Sequence, residues 1–223
     1  MSHGIQQDRL FDQAEIDGQI RQRAPARVSL LASPLLGGLL DPVIAHLAAT
    51  DPDLFGDLAL DVARIPWEDG AAPLEALEEA RMLDQVLPDA RPAAVRILFT
   101  TQRFSDNWFS HWHESRQAAV VSLAGWGGPS TVPAEAFVAY EILLHGLRTL
   151  GAAWSPEHLT HAETRGCLFD FCAHREDVDI KLQAADFCPS CHDALRANGI
   201  PMDRVQRLAE VVKTLAVPAG VVH

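Results

Sequence analysis

The feature that most constrains this chain is a set of four cysteines confined to residues 167–191. They stand as two close pairs, Cys167 with Cys172 and Cys188 with Cys191, and the chain of 223 residues contains no other cysteine. Each pair lets two thiolates face one point, and the loop between the pairs can bring the second pair round to complete a tetrahedron of sulfur ligands. The spacing therefore predicts one structural zinc ion held by these four residues.

Two other uses of the cysteines are open at this point. They can form two disulfides or stay as free thiols, and the segment Cys188-Pro189-Ser190-Cys191 has the spacing of a thiol-redox motif. The N-terminus has neither a basic start nor an apolar stretch, so we expect a cytoplasmic protein. In that compartment clustered cysteines more often bind metal than form disulfides, which favours zinc.

Composition excludes several classes of partner. The hydrophobic fraction of 48% and the charged fraction of 22% are ordinary for a soluble globular chain. The formal net charge of −12 repels phosphate groups, so neither nucleic acid nor an anionic membrane surface is an expected partner. No run approaches the ~20 apolar residues of a membrane-spanning helix.

Apolar periodicity predicts strands that alternate with helices up to Gly151, which favours an α/β fold with helices covering a sheet. We expect three parts: an N-terminal helix or arm over 1–24, an α/β subdomain over 25–151, and a helix-poor zinc-binding subdomain over 152–223. The predicted strands are 27–32, 58–65, 95–100 and 118–123, and the predicted helices are 39–49, 73–87, 133–150 and 203–216.

The cysteine segment resembles one known family. Residues 167–195 are similar to the C-terminal segment of archaemetzincins, metzincin-type zinc peptidases with a Cys-x4-Cys and Cys-x2-Cys structural site, and residues 97–109 and 119–123 resemble the strands that precede the family's active-site helix. The likeness covers about residues 55–195, and its specific part is the cysteine motif. It implies a metzincin-like mixed sheet with covering helices and a small four-cysteine zinc lobe.

The catalytic motif of that family, HExxHxxGxxH, is degenerate here. Aligning Glu141 with the motif glutamate puts Tyr140 and Leu144 at the two histidine positions. Aligning His145 with the first histidine instead leaves glycine and threonine at the glutamate and second histidine positions. Zinc hydrolysis needs three protein ligands, an open position for water and a carboxylate base. The resemblance therefore implies a pseudopeptidase that acts by binding a protein or peptide partner.

A rival hypothesis is a metal-dependent hydrolase with a rearranged site. Glu141 and His145 are four residues apart and share a helix face. His161 can add a third ligand and Glu163 a base, with His158 and Glu157 as further candidates in the same segment. The simpler interpretation is that these are hydrogen-bonded or solvated polar residues.

A further polar cluster runs from His111 to Glu114, after the aromatic pair Trp108-Phe109. On a strand, His111 and His113 would face the same side, and the cluster would border a cleft. A solvated loop is the expected structure for this segment.

Overall fold

The computed structural model describes residues 28–62, 73–89, 93–106, 108–126, 132–150 and 160–217. The predicted arm over 1–24 and the predicted subdomain boundary at 151 lie outside these residues and stay predictions. The strands are β1 (Val28–Ala32), β2 (Ala59–Val62), β3 (Val95–Thr100), β4 (Ser110–His113) and β5 (Ala118–Ser122). The α-helices are α1 (Gly37–Thr50), α2 (Pro52–Phe55), α3 (Ala76–Val86), α4 (Ala134–Leu147), α5 (Arg175–Ala184), α6 (Pro189–Ala197) and α7 (Met202–Leu215).

One five-stranded sheet organises the described residues. Its strand order is β2-β1-β3-β5-β4, in which the first four strands are parallel to their neighbours and β4 runs antiparallel to β5. Parallel strands need crossover connections, and helices α1 and α3 lie in two of them. The prediction of an α/β fold with a mixed sheet and covering helices is confirmed.

Side chains on the two faces of the sheet enter two separate clusters because successive residues of a strand point to opposite sides. Leu30, Ile97 and Val121 pack with helices α1, α4 and α7, whereas Leu31 and Leu98 pack with α3. The central strands are buried on both faces, which is typical of parallel sheets. The sheet is therefore a middle layer between helices.

Strand β4 corrects one prediction, because the segment predicted as a solvated loop is the edge strand of this sheet. Ser110 and Trp112 pair with Val121 and Ala119, and His111 and His113 pair with Val120 and Ala118. The strand alternation therefore turns Ser110 and Trp112 towards α4, and His111 and His113 towards α3. The two polar clusters described below, one on each face of β4, follow from this division.

Helix α4 is almost entirely buried and packs against α1 and α7. Pro133 is its N-cap, and Gly146 lies in its last turn. A Cβ atom at Gly146 would stand 3.0 Å from two ring carbons of the buried Phe55. The glycine therefore permits the close approach of α4 to α2.

The C-terminal part contains three helices, α5, α6 and α7, so the prediction of a helix-poor lobe is wrong. Its apolar side chains, among them Leu182, Leu195 and Leu208, belong to the same buried cluster as α4 and one face of the sheet. The cysteines sit at the edge of this shared core.

Candidate metal centre and adjoining cavity

Four side chains near the C-terminus form the only group of three or more metal-ligating residues among those the structure describes. The group is His161, Cys167, Cys188 and Cys191, whose ligand atoms all lie within 4.8 Å of one another. His161 Nε2 is 3.0 Å from Cys191 Sγ and 3.2 Å from Cys188 Sγ, and the sulfurs of Cys167 and Cys191 are 3.8 Å apart.

The chain places these ligands through two short backbone pairings. His161 pairs with Asp170: its N–H donates to Phe169 O, and its carbonyl accepts from Phe171 N–H at 2.7 Å. Cys167 pairs with Asp186, which brings the segment before α6 alongside. The Asp170 carboxylate also accepts from Cys167 N–H at 2.9 Å and fixes the turn that starts at this cysteine.

The second pair of cysteines is set by the start of α6. Cys188 is the N-cap of the helix, with Pro189 at its first position and Cys191 in its first turn. A thiolate at a helix N-terminus is stabilised by the helix dipole. This position is also typical of thiol-redox pairs, but here Cys188 and Cys191 both lie within reach of His161 and Cys167.

The donor set fits zinc. Zinc–sulfur bonds of about 2.3 Å in a tetrahedron require sulfur atoms about 3.8 Å apart, which matches Cys167 and Cys191. The two nitrogen–sulfur distances, 3.0 and 3.2 Å, are slightly shorter than the roughly 3.5 Å of a tetrahedral zinc site. Three thiolates and one imidazole make a closed, structural type of site, so the prediction of one zinc ion is supported.

The thiols differ in their acid–base properties. Burial alone raises the pKa of Cys188, but hydrogen bonds from Ser190 and from the Cys191 backbone N–H outweigh it and lower that pKa to about 6. Burial raises the pKa values of Cys167 and Cys191. Cys188 therefore has the lowest pKa of these three thiols.

The predicted ligand set differs from the structure at one position, because His161 stands where Cys172 was expected. Cys172 follows the turn at Asp170 and faces a different space, beside Lys181 and Tyr140. Burial raises the pKa of Cys172, whereas the nearby Lys181 ammonium opposes this rise. His161 was selected from the sequence as a catalytic candidate and not as a partner of the cysteines.

A cavity of about 310 Å³ opens between β4, α4 and the segment around Asp170. Its wall is mainly apolar and includes seven aromatic side chains. Trp108 and Phe171, which are 51% and 37% exposed, are in ring contact at 5.2 Å. The aromatic lining residues are Trp108, Phe109, Trp112, Phe137, Tyr140, Phe169 and Phe171. The polar lining residues include Ser110, Glu141, His145, Arg148, Asp170, Cys172 and Lys181.

Glu141 and His145 lie on the cavity side of α4 and are buried. Arg148 Nε donates to His145 Nδ1 at 3.2 Å, so this nitrogen carries the lone pair and Nε2 carries the proton. His145 Nε2 then faces Ser110 Oγ at 3.3 Å and Glu141 Oε2 at 3.4 Å. An imidazole in this tautomer cannot accept the hydroxyl proton of Ser110, so the arrangement is not a nucleophile–base pair.

Lys181 enters the same cavity from α5. Its ammonium donates to Tyr140 Oη at 2.8 Å and to Asp170 O at 2.9 Å. Burial alone lowers the pKa of Lys181, but the neighbouring acidic groups of Tyr140 and Cys172 outweigh it and raise the pKa, so the side chain is charged at neutral pH. Burial raises the pKa of Tyr140 to about 12.

The structure does not bring together the residues of the rearranged hydrolase site. Its proposed third ligand, His161, faces Cys188 and Cys191, and its proposed base, Glu163, is largely exposed and pairs with Arg165 at 3.1 Å. His158 and Glu157 lie outside the described residues.

His111 and His113 form a separate cluster on the other face of β4. The carboxylate of Glu79, on α3 and only 1% exposed, is 2.8 Å from His111 Nδ1 and 3.3 Å from His113 Nε2. Asp106 approaches His111 Nε2 at 3.0 Å. Burial alone lowers the pKa of His111, but the bond to Glu79 outweighs it and raises the pKa. No sequence pattern pointed to Glu79, because it belongs to α3, which is distant in sequence from the two histidines of β4.

Among the helices of the described residues, none is long and apolar enough to cross a membrane.

No family model matches the sequence, and no curated protein matches it. Among solved structures, the chain is similar to the crystal structure of archaemetzincin from Methanopyrus kandleri. The two sequences are 19% identical, the match covers 79% of this chain and 97% of that chain, and the TM-score is 0.49. A TM-score this low does not support assigning the archaemetzincin's activity to this chain.

Proposed function

We propose that this chain is a zinc-binding protein whose aromatic cavity binds a peptide or protein partner, and that it does not hydrolyse peptides at a zinc ion. The observation that carries the proposal is the set of groups on the cavity side of α4. Tyr140, Glu141, Leu144 and His145 stand in the segment that resembles the metzincin motif, and they include a single histidine.

The chemistry of His145 supports the loss of hydrolysis. Arg148 occupies its Nδ1, and its Nε2 faces Ser110 and Glu141. Because Arg148 can only donate, the lone pair on Nδ1 is already in use. A metal ion at this histidine would have to displace Arg148 or the proton on Nε2.

The group of His161 and three cysteines does not offer an alternative hydrolytic site. The set of His161 and three cysteines supplies four ligands, which fill a tetrahedral zinc site and leave no position for water. We assign it a structural role, and we propose a cytoplasmic location because the cysteines then stay reduced and available for metal.

Binding is supported by the cavity itself. Its volume is in the range of ligand sites, its wall is mainly apolar with several aromatic side chains, and Trp108 and Phe171 offer exposed apolar surface beside it. Exposed aromatic side chains next to a concave surface are typical of recognition sites.

The proposal is tested by incubating zinc-loaded protein with a diverse peptide library and reading both products and retained peptides by mass spectrometry, with and without chelator. We expect retained peptides, no cleavage, and weaker retention in Trp108→Ala. Leu77→Ala, which shortens an exposed side chain on α3 away from the cavity, is the matched control. Chelator-sensitive cleavage that disappears in His145→Ala would establish the hydrolase instead.

A further inference from the structure

Two carboxylate oxygens of the cavity-lining residues, Glu141 Oε2 and Asp170 Oδ1, are buried and have no hydrogen-bond partner among the described residues. Glu141 is 3% exposed, and its Oε2 has no hydrogen-bond partner among the described residues. The Nε2–H of His145 lies 3.4 Å from this oxygen, which is longer than a normal hydrogen bond. A buried carboxylate without a full hydrogen bond is unfavourable, because it has lost its hydration and gained only a long contact in exchange. A group that enters the cavity with a proton to donate would relieve this cost.

Two cationic side chains of the cavity make hydrogen bonds to other groups, although the Lys181 ammonium also interacts electrostatically with the Glu141 carboxylate. Lys181 donates to Tyr140 and to the carbonyl of Asp170. Arg148 donates to His145 and lies 4.2 Å above the ring of Trp112. Glu141 Oε2 and Asp170 Oδ1 are therefore the carboxylate acceptors that the lining residues leave for a ligand, and Glu141 is the one on α4.

The wall around this acceptor favours an apolar body. Phe137 and Phe169 are buried members of the lining, and Trp108 and Phe171 are its exposed members. Aromatic faces also attract cations, so an ammonium group that passes them is stabilised on its way to the carboxylate.

We propose that the cavity recognises a primary ammonium group attached to an aromatic or aliphatic body, with Glu141 as its counter-ion. The inference rests on the proposed binding function and names the chemistry that the same site selects. Such a group has two sources, a free amine or the N-terminus of a peptide, and both present the same charge next to an apolar side chain.

The first experiment varies the ligand on the unchanged protein. Calorimetric titration of the zinc-loaded chain compares phenethylamine with N-acetylphenethylamine and 3-phenylpropionate. The peptide Phe-Gly-Gly amide is then compared with its N-acetylated form, which separates the two sources. We expect the free ammonium to bind at least about tenfold more tightly than its acetylated form, since a hydrogen bond to a charged group is lost on acetylation.

The second experiment varies the protein. Glu141→Gln keeps the shape of the side chain and removes its charge, and we expect it to abolish the preference for the free ammonium. Glu210→Gln, on an exposed position of α7, is the matched control and should keep the preference. Zinc content and thermal unfolding of each variant show that the fold is retained, and the ligand comparison on the unchanged protein stands even where Glu141→Gln does not fold.

The outcomes separate this inference from the proposed function. Equal binding of free and acetylated ligands, or preference for 3-phenylpropionate, overturns the ammonium inference and leaves a binding cavity. Absence of binding by all five probes overturns the ammonium inference, whereas chelator-sensitive cleavage in the library assay overturns the proposed function.

Discussion

The ammonium of Lys181 donates a hydrogen bond to the hydroxyl oxygen of Tyr140 across 2.8 Å, and both side chains are more than nine-tenths buried. The two residues come from different helices, α5 and α4. Their bond therefore joins the segment that carries the metal ligands to the helix that forms the cavity, and it fixes a positive charge beside that helix.

Tyr140 is the only tyrosine in the chain, so its ionisation can be followed without interference from another tyrosine. We expect little tyrosinate absorbance in the native protein at pH 10.5 to 11, and substantial absorbance after unfolding in guanidinium, because burial raises the native pKa to about 12 from an ordinary value of 10.0. The sign follows from linkage: the folded state holds the proton more tightly, so this contribution to stability is present below pH 10 and is lost as the pH rises through 12.

Lys181→Met supplies the second arm of this titration. Because the ammonium of Lys181 favours the phenolate, its removal should raise the pKa of Tyr140 further and delay the absorbance change. Lys213→Met, on an exposed position of α7, should leave the change where it was. A native Tyr140 that titrates near its ordinary pKa in either protein would contradict the buried contact.

Metal analysis of three variants tests the ligand set. We expect one zinc per chain in the parent, loss of zinc in Cys188→Ser and His161→Ala, and retention in Cys172→Ser. Structural zinc contributes on the order of 10 kcal/mol to small zinc domains, so Cys188→Ser should also unfold the C-terminal part. Zinc lost from Cys172→Ser and kept in His161→Ala would restore the four-cysteine set.

The contact between Gly146 and Phe55 predicts a sensitive position. Gly146→Val places side-chain atoms against a ring with no exposed surface, and we expect a loss of about 2 kcal/mol in the free energy of unfolding. Gly38→Val is the control, because a Cβ there meets nothing within 4 Å, and we expect a change within about 1 kcal/mol. Urea titration measures both, and equal losses would count against the close packing of α4.

The Glu79–His111 pair predicts a stability contribution with a window in pH. Burial alone raises the pKa of Glu79, but the bonds from His111 and His113 outweigh it and lower the pKa below the ordinary 4.5. This part of the contribution is present above pH 4.5 and is lost as the pH falls through the folded value. The pKa of His111 is raised above the ordinary 6.5, so its part is present below pH 6.5 and is lost as the pH rises through the folded value.

The measurement is the difference in unfolding free energy between the parent and Glu79→Gln, because other titrating groups cancel in this difference. We expect it to be larger at pH 5.5 than at pH 9 by on the order of 1 kcal/mol, a modest figure since His111 remains one-fifth exposed. An equal difference at both pH values would show that the pair is not ionised as described. Asp106 and His113 face the same pair and are unchanged in the comparison.

Local sequence patterns predicted the elements that are apolar throughout. Strand β3 has the predicted bounds, and α4 begins within one residue of the predicted start, because Pro133 marks it and the buried run continues behind it. Strand β4 was missed because its residues are not typical of strands, and its pairing comes from the distant β5. Helix α5 was missed because it is mostly polar, although Val178 and Leu182 keep the helical spacing of buried residues.

The sequence predicted which metal the site binds, but it did not predict all four ligands. The cysteine spacing indicated zinc, but the choice between Cys172 and His161 depends on the backbone pairing of His161 with Asp170. Such an isolated bridge leaves no periodic pattern in the sequence. The cavity was likewise beyond local reasoning, since its lining comes from β4, α4, α5 and the segment between them.

The pairing of Val28 with Val95 in the parallel sheet has a kinetic consequence. The sheet can close only after distant parts of the chain have met, whereas His161 and Cys191 are 30 residues apart and are joined within one local loop. Contacts of short sequence separation form faster than those of long separation. We therefore expect thiolate–metal absorbance in the cobalt-substituted chain to develop earlier in refolding than the fluorescence change that reports core formation, and simultaneous signals in stopped-flow mixing would contradict this order.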